Sequence, residues 1–181
     1  MLIGKKVSLR ALEDTDLQLL KDWRNNENFR KNFREYKELN LVDQKNWFDN
    51  YVVKNDKTIM FGIVENETGQ LVGVCGLCAI NWVYRNADLS LYVGKDNIYI
   101  DNERDGFAWG TLDLLFEYAF NRLNLHKIWT EIYEFDPKHQ LFKEYGLSMD
   151  AVLRDNYFYD GKFMDSNIYT ILEDEWRGAN K

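Results

Sequence analysis

The sequence predicts one domain of the α/β (α+β) class. Segments with strand-like alternation and segments with helical periodicity follow one another in the order β-α-α-β-β-β-α-β-α-β-β. Antiparallel strands come first and two strand–helix units follow, a pattern typical of a mixed layer architecture. We interpret residues 1–181 as a single domain, because the length fits one domain and no repeat, linker or low-complexity tract interrupts the chain.

The first third of the chain predicts one strand and two main helices. Residues 6–10 alternate as a strand, and Asp14 or Thr15 then caps a helix with an apolar face. Residues 25–40 are polar with scattered aromatic side chains, which favours a short helix followed by a loop. Residues 42–54 have the periodicity of a second amphipathic helix.

Three strands follow in the middle of the chain. Residues 58–65 and 70–81 flank Asn-Glu-Thr-Gly at 66–69, which is typical of a hairpin turn. Residues 87–93 form the third strand, and the stretch 94–106, rich in Asn and Asp, is predicted to be irregular.

Two strand–helix units come next. Residues 107–123 have apolar side chains at helical spacing, and residues 127–133 are β-branched and aromatic, as in a strand. Asp136 and Pro137 have the order of an N-cap followed by the first helical residue. This short helix is predicted to end near Gly146.

The last strands are predicted to form a hairpin. Residues 148–159 and 162–172 alternate, and Asp160-Gly161 between them is typical of a type I′ turn.

Charge and hydropathy restrict the class of partner. The net charge is −7 and the sequence pI is about 4.9, so no basic footprint for nucleic acid is present. A cationic small substrate suits such a field, although the acidity also serves solubility alone. No apolar window approaches the roughly 20 residues that span a bilayer, and the first residues lack a signal-peptide pattern. We therefore expect a cytoplasmic protein with no membrane partner.

The two cysteines have the spacing Cys-x-x-Cys at Cys75 and Cys78. Zinc and redox sites use this spacing, but no second pair completes a tetrahedral set. The surrounding residues read as a strand, in which positions three apart face opposite sides. We interpret both cysteines as buried thiols and expect no metal.

A glycine-containing loop precedes the long helix predicted from Phe107. Backbone N–H groups near Gly106 and Gly110 suit a pyrophosphate, because the helix dipole favours an anion there. Two glycines at such a junction also occur for turn geometry alone.

Several stretches resemble one known family. They include Trp-Arg-Asn-Asn at 23–26, Leu-Phe-Lys-Glu-Tyr-Gly at 141–146 and Tyr-Asp-Gly-Lys-Phe-Met-Asp at 159–165, together with residues 7–17, 80–88 and 118–128. In order and spacing the chain resembles the GCN5-related N-acetyltransferase (GNAT) superfamily, in particular its ribosomal-protein-alanine and spermidine acetyltransferase-like branch. The resemblance implies a mixed, mostly antiparallel sheet of about seven strands with splayed middle strands and about four helices. It also implies acetyl-CoA as cosubstrate.

The resemblance implies a set of cofactor-binding residues. The family loop Arg/Gln-x-x-Gly-x-Gly/Ala falls on Asp105, Ala108 and Gly110, so Asp105 stands where the family has Arg or Gln. The neighbouring Arg104 is a candidate to compensate for this acid. The full set is Leu91, Tyr92, Val93, Arg104, Asp105, Gly106, Phe107, Ala108, Trp109, Gly110, Thr111, Asp136, Lys138 and Phe142.

The resemblance also implies the catalytic candidates. Asp88 and Glu35 match positions where the family places an acid, and either is a candidate base for a protonated amine. Less supported acids are Glu27, Asp43, Glu131 and Glu134. Phe142 stands where the family has the tyrosine that protonates the leaving thiolate, so Tyr145 is the candidate acid, with Tyr133 as an alternative.

These residues predict acetyl transfer to a primary amine of a small molecule such as a polyamine or an amino sugar. Aromatic candidates for the wall of the amine groove are Trp23, Phe33, Tyr36, Trp82, Tyr84, Tyr157 and Tyr159, which are equally candidates for core or homodimer contacts. A protein N-terminus is the alternative acceptor. A non-catalytic acyl-CoA-binding protein is the alternative of another class, because Asp105 and Phe142 depart from the family pattern.

Overall fold

A computed structural model describes residues 1–179, so that Asn180 and Lys181 of the predicted domain lie outside the described residues. The strands are β1 (Leu2–Ile3), β2 (Val7–Ala11), β3 (Ile59–Glu65), β4 (Leu71–Asn81), β5 (Asn86–Val93), β6 (Lys127–Tyr133), β7 (Ser148–Tyr159) and β8 (Lys162–Leu172). They form one sheet in the order β1-β2-β3-β4-β5-β6-β8-β7. Only the β5–β6 pair is parallel. The predicted mixed, mostly antiparallel sheet is confirmed, and it has eight strands because a two-residue strand precedes the first predicted one.

Six α-helices occur within residues 1–179. They are α1 (Leu17–Asn25), α2 (Glu27–Arg30), α3 (Leu41–Trp47), α4 (Phe107–Glu117), α5 (Lys138–Tyr145) and α6 (Glu173–Ala179). The chain continues α3 and α4 as π-helical turns, Phe48–Val53 and Tyr118–Arg122. About four helices were expected; α2 is the short helix predicted within residues 25–40, and the C-terminal α6 was not predicted. None of the described helices is long and apolar enough to cross a membrane.

Local side-chain chemistry fixes several of these boundaries. The side chain of Asn40 accepts a hydrogen bond from the Asp43 amide, and the Asp43 carboxylate accepts one from the Asn40 amide, which is a capping box for α3. Gly146 ends α5 at φ 104°, a left-handed conformation that glycine adopts without a Cβ clash. Asp160 and Gly161 both have positive φ, as the predicted type I′ turn requires.

Helix α4 is fixed by its buried face. It packs across β2, β3, β4 and β5, and its buried side chains are Ala108, Thr111, Leu112, Leu115 and Phe116. Truncating fully buried Phe or Leu side chains costs about 2–5 kcal/mol, so this face holds the helix firmly against the sheet. The N-terminus of α4 therefore has a fixed position relative to β5.

The two cysteines lie on β4. Cys75 is buried and Cys78 partly buried, and neither is in a disulfide. Burial raises the pKa of both thiols, that of Cys78 to about 11. Both therefore stay protonated near neutral pH, whereas the thiolate is the form that binds metals and reacts. Their protonated state agrees with the interpretation of Cys75 and Cys78 as unreactive thiols.

Candidate active site

Strands β5 and β6 part in the middle of the sheet. They pair only at Asn86↔Lys127, Ala87↔Ile128 and Asp88↔Trp129, whereas β5 continues to pair with β4 as far as Val93. The edge of β5 that faces β6 is instead covered by side chains. Thr130 Oγ1 donates to the Leu89 carbonyl at 3.1 Å, and Lys138 Nζ donates to the Leu91 carbonyl at 3.4 Å. The backbone of Leu91 is thus directed into the space between the strands.

A cleft of about 240 Å³ occupies this space, and we call it the central cleft. Its charged side chains include Arg34, Asp88, Glu131 and Lys138. Its aromatic side chains are Phe33, Tyr92, Tyr99 and Tyr133. Tyr133 in turn stacks on Tyr157 of β7, with ring centroids 3.7 Å apart. The cleft is therefore lined by charged side chains of both signs and walled by aromatic rings.

Asp88 is the last paired residue before the strands part. Its side chain is only 14% exposed. Burial raises the pKa of Asp88 to about 6, against the opposing effect of the Arg34 and Lys138 cations. A carboxylate with this pKa is largely ionised at pH 7 and takes up a proton more readily than an ordinary aspartate.

Glu131 lies on β6, near Asp88, and is held in place by its own hydrogen bonds. Ser166 Oγ and Asn156 Nδ2 each donate to Glu131 Oε1 at 2.7 Å. The other oxygen, Oε2, accepts from Arg34 Nη2 at 3.3 Å, while Arg34 Nη1 donates to Asp88 Oδ2 at 3.4 Å. One guanidinium therefore bridges two partly buried carboxylates.

The N-terminus of α4 already holds an anionic group. The carboxylate of Asp101 accepts hydrogen bonds from the amides of Phe107 and Ala108, the latter at 2.8 Å. A Cβ on Gly106 would lie 2.2 Å from Asp101 Oδ2, so glycine is required for this close approach. The first turn of α4 thus binds the carboxylate of Asp101 in this structure, and the pyrophosphate site expected there stays a prediction.

A second cavity lies beside this helix start, away from the parted strands. It measures about 700 Å³, and Lys5, Lys6 and Arg104 contribute its cationic side chains. Lys6 Nζ donates to the Asp105 carbonyl at 2.8 Å. Of these two cavities, the smaller central cleft is the one lined by both the Asp88 carboxylate and Leu91, where β5 no longer pairs with β6.

A family model described as "Acetyltransferase (GNAT) domain" matches residues 9–168. This range contains both the parted strands and the start of α4. The chain belongs to the GNAT acetyltransferase family. The sequence resemblance and the predicted splay of the middle strands agree with this assignment.

This acetyltransferase is similar to spermidine acetyltransferases in sequence and in fold. It is 26% identical over 180 residues to the spermidine N(1)-acetyltransferase of Vibrio cholerae, covering 96% of this chain and 97% of the relative. A crystal structure of a V. cholerae spermidine N-acetyltransferase with CoA and spermine superposes with a TM-score of 0.85 at 23% identity, covering 96% of this chain and 99% of that one. A dodecameric V. cholerae structure gives a TM-score of 0.80 at 22% identity over 98% and 100% of the two chains.

The acetyltransferase fold brings many of the predicted site residues together in two places. Asp88, Leu91, Tyr92 and Lys138 line the central cleft. Arg104, Asp105, Gly106, Trp109 and Gly110 line the large cavity beside α4. Three other predicted residues line neither cavity and make hydrogen bonds within the fold. The Thr111 hydroxyl donates to the Phe107 carbonyl, the Asp136 carboxylate accepts from the Lys138 amide, and the Val93 amide donates to the Tyr99 carbonyl.

Glu35, Phe142 and Tyr145 are among the predicted residues that line neither the central cleft nor the cavity beside α4. Glu35 lines another cavity and accepts hydrogen bonds from the Tyr36 and Lys37 amides. Phe142 is 1% exposed and packs against Tyr169. Tyr145 packs on Trp109 and Phe116 of α4.

Sequence reasoning missed two residues of the acetyltransferase site. Arg34 belongs to a loop with no motif, and it meets Asp88 from 54 positions away in the chain. Asp101 caps α4 although Gly106 occupies the N-cap position, so the usual capping signal at that position is missing. Only the folded chain brings either residue to its place.

The position of Tyr145 gives a first prediction. Its hydroxyl donates to Asp113 Oδ1 at 2.7 Å, and burial together with that carboxylate raises the pKa of Tyr145 above its usual range. A phenol with a raised pKa gives its proton to a thiolate less readily. We expect Tyr145→Phe to lower the free energy of unfolding by about 1–2 kcal/mol while kcat changes less than about twofold. Urea unfolding and steady-state kinetics of the same preparation check both; a large loss of kcat at normal stability would restore Tyr145 as the acid.

Proposed function

We propose that this chain transfers the acetyl group of acetyl-CoA to a primary amine of a small cationic molecule of the polyamine type. The observation that carries the proposal is Asp88, a buried carboxylate with a pKa of about 6, at the point where β5 and β6 part. There a base and an open strand edge lie side by side.

The residues present fit coenzyme A in two respects. The amides of Phe107 and Ala108 already hold the Asp101 carboxylate, so this helix start accepts an anion such as a diphosphate. The edge of β5 at Leu91 faces the central cleft without a strand partner within residues 1–179, and an extended amide-bearing arm adds to such an edge by backbone hydrogen bonds. These two amides would hold the diphosphate in place of the Asp101 carboxylate.

When bound, acetyl-CoA supplies the acetyl group as a thioester. Asp88 takes a proton from the substrate ammonium, so that the nitrogen has a free electron pair for the carbonyl carbon. A C–N bond then forms and the C–S bond breaks, and the second proton of the nitrogen passes to the departing thiolate, which leaves as the free thiol of CoA. The Leu91 amide would donate to the developing oxyanion, and the Lys138 ammonium, 3.4 Å from the Leu91 carbonyl oxygen, would supply positive charge for the departing thiolate.

The acceptor class follows from the charges of the central cleft. Asp88 and Glu131 are 14% and 17% exposed, and both direct an oxygen toward one cation. The aromatic wall adds cation–π attraction for an alkyl ammonium. A spermidine acetyltransferase is among the relatives of this chain, which supports a polyamine over an amino sugar. A cleft of about 240 Å³ favours binding of a narrow polyamine chain over binding of the N-terminus of a folded protein.

We also propose a cytoplasmic location and self-association. The edge strand β7 is exposed over most of its length, and its exposed apolar side chains include Met149, Val152 and Phe158. An unpaired strand edge of this kind pairs readily with a second copy. A homodimer is therefore the state that we expect in light scattering.

Release of free thiol tests the activity. The purified chain is mixed with acetyl-CoA and spermidine, 1,4-diaminobutane, glucosamine or an alanine-terminated peptide, and binding of acetyl-CoA is measured separately by calorimetry. We expect thiol release to be fastest with spermidine. Binding without release for any amine would favour the non-catalytic acyl-CoA-binding alternative, and preference for the peptide would favour N-terminal acetylation.

A further inference from the structure

The guanidinium of Arg34 occupies the place in the central cleft that a substrate cation would need. Arg34 lies in the loop between α2 and α3, and its two terminal nitrogens reach Asp88 and Glu131 at 3.4 and 3.3 Å. The carboxylates belong to β5 and β6, the two strands that part. A loop therefore contributes the positive charge, and the sheet contributes the negative charges.

The bridge has the geometry of a weak ion pair. Each carboxylate receives one long contact, and neither receives the parallel pair of hydrogen bonds that makes Arg–carboxylate contacts strong. The Arg34 side chain is 57% exposed. Exposed ion pairs contribute about 0–1 kcal/mol, so little free energy holds the guanidinium in place.

The carboxylates, in contrast, need a cation. Both are largely buried, and two like charges at one site repel each other. The Glu131 carboxylate contributes to the raised pKa of Asp88, while Arg34 and Lys138 lower it. Since Lys138 lies 3.5 Å from its own partner, Asp136, Arg34 is the cation that bridges Asp88 and Glu131.

We infer that Arg34 is an exchangeable counter-ion of the amine site, which a substrate carrying two or more cationic nitrogens displaces. This inference rests on the proposed function and adds a specificity-determining residue to it. One substrate nitrogen replaces Nη1 at Asp88, where it reacts, and a second replaces Nη2 at Glu131. A monoamine replaces only one of the two contacts and competes poorly with the guanidinium.

The substitution Arg34→Met tests the inference, because it keeps a straight apolar stem and removes the charge. Lys31→Met is the matched control, since Lys31 is an exposed cation in the same loop region. We expect Arg34→Met to lower the KM and the calorimetric Kd for spermidine about fivefold, with a smaller change for butylamine. Lys31→Met leaves both constants as in the parent. The low-pH limb of kcat/KM, which reports the free enzyme, moves to higher pH in Arg34→Met alone, because Asp88 then loses the Arg34 cation and still faces Glu131.

The outcomes separate this inference from the proposed function. An unchanged or raised spermidine KM and Kd in Arg34→Met overturns it, since a purely structural Arg34 predicts weaker binding. A loss of affinity limited to glycylglycine, which has a carboxylate, also overturns it and makes Arg34 an anion-binding residue. If the parent chain releases no thiol with any amine, the proposed function fails, and the spermidine Kd of the two variants still decides the role of Arg34.

Discussion

Replacing Asp88 by Asn is expected to lower kcat with spermidine by about 10²–10³-fold, because general base catalysis typically contributes a factor of this size. The affinity for acetyl-CoA, measured by calorimetry, should change by less than about threefold, since the side chain contacts the amine and not the diphosphate. Asparagine keeps the shape of the side chain and cannot accept the proton.

The pH profile of the parent enzyme gives an independent measure of the same group. Asp88 acts as a base only when it is ionised, and its pKa is about 6. We therefore expect kcat/KM for spermidine, which reports the free enzyme, to be level above pH 7 and to fall about tenfold per pH unit below pH 6. In Asp88→Asn this limb should disappear.

The variant Asp88→Asn should be more stable than the parent, although its kcat is lower. The pKa of Asp88 is about 6 in the folded chain and about 3.8 as its ordinary value, so ionisation near neutral pH opposes folding. This cost is absent below pH 4 and complete above pH 6. Asp88→Asn should thus raise the free energy of unfolding by about 2–3 kcal/mol at pH 7.5 and leave it nearly unchanged at pH 4.

Glu131→Gln is the matched control for Asp88→Asn, because it neutralises the other carboxylate bound to Arg34. It should raise the KM for spermidine and leave kcat within about fivefold of the parent value. If Asp88→Asn kept half of the parent kcat, or if Glu131→Gln lost more activity than Asp88→Asn, the base would have to be assigned elsewhere.

The strands could be predicted from the sequence because their signals are local. Alternation placed the strand that is observed as Lys127–Tyr133 without error, and Asp160-Gly161 identified the closing hairpin through its turn. The helix Glu173–Ala179 was missed because its acidic first turn directly follows β8 without a turn residue. The two-residue β1 is too short to show alternation.

The site was predictable only where one segment defines it. Asp88 was found because it lies on a strand that leads to the α4 loop, and the fold places it where that strand parts from β6. The partners of Asp88 come from distant segments: Arg34 and Glu131 are 97 residues apart in the chain. Burial, which shifts the pKa of Asp88, is likewise a property of the folded chain and not of any local pattern.

Replacing Asp101 by Ala is expected to tighten CoA binding about tenfold, which corresponds to about 1.4 kcal/mol. The Asp101 carboxylate holds the amides of Phe107 and Ala108, and a diphosphate must displace it to reach them. An anion at a helix N-terminus is stabilised by about 0.3–2 kcal/mol, so the free energy of this displacement is of the expected size. Calorimetry with CoA at fixed ionic strength measures the change.

The same substitution should destabilise the free enzyme, because α4 loses the group that satisfies its first amides. A lost cap typically costs about 0.5–2 kcal/mol, and saturating CoA should restore this stability by occupying the vacated amides. Glu103→Ala is the matched control: it removes one negative charge from an exposed position in the same loop and leaves the Asp101 contacts in place. If both variants bound CoA more tightly to the same extent, the cause would be the lower negative charge of the loop and not the loss of the Asp101 contacts. If Asp101→Ala bound CoA more weakly, Asp101 would order the loop for the cofactor instead of competing with it.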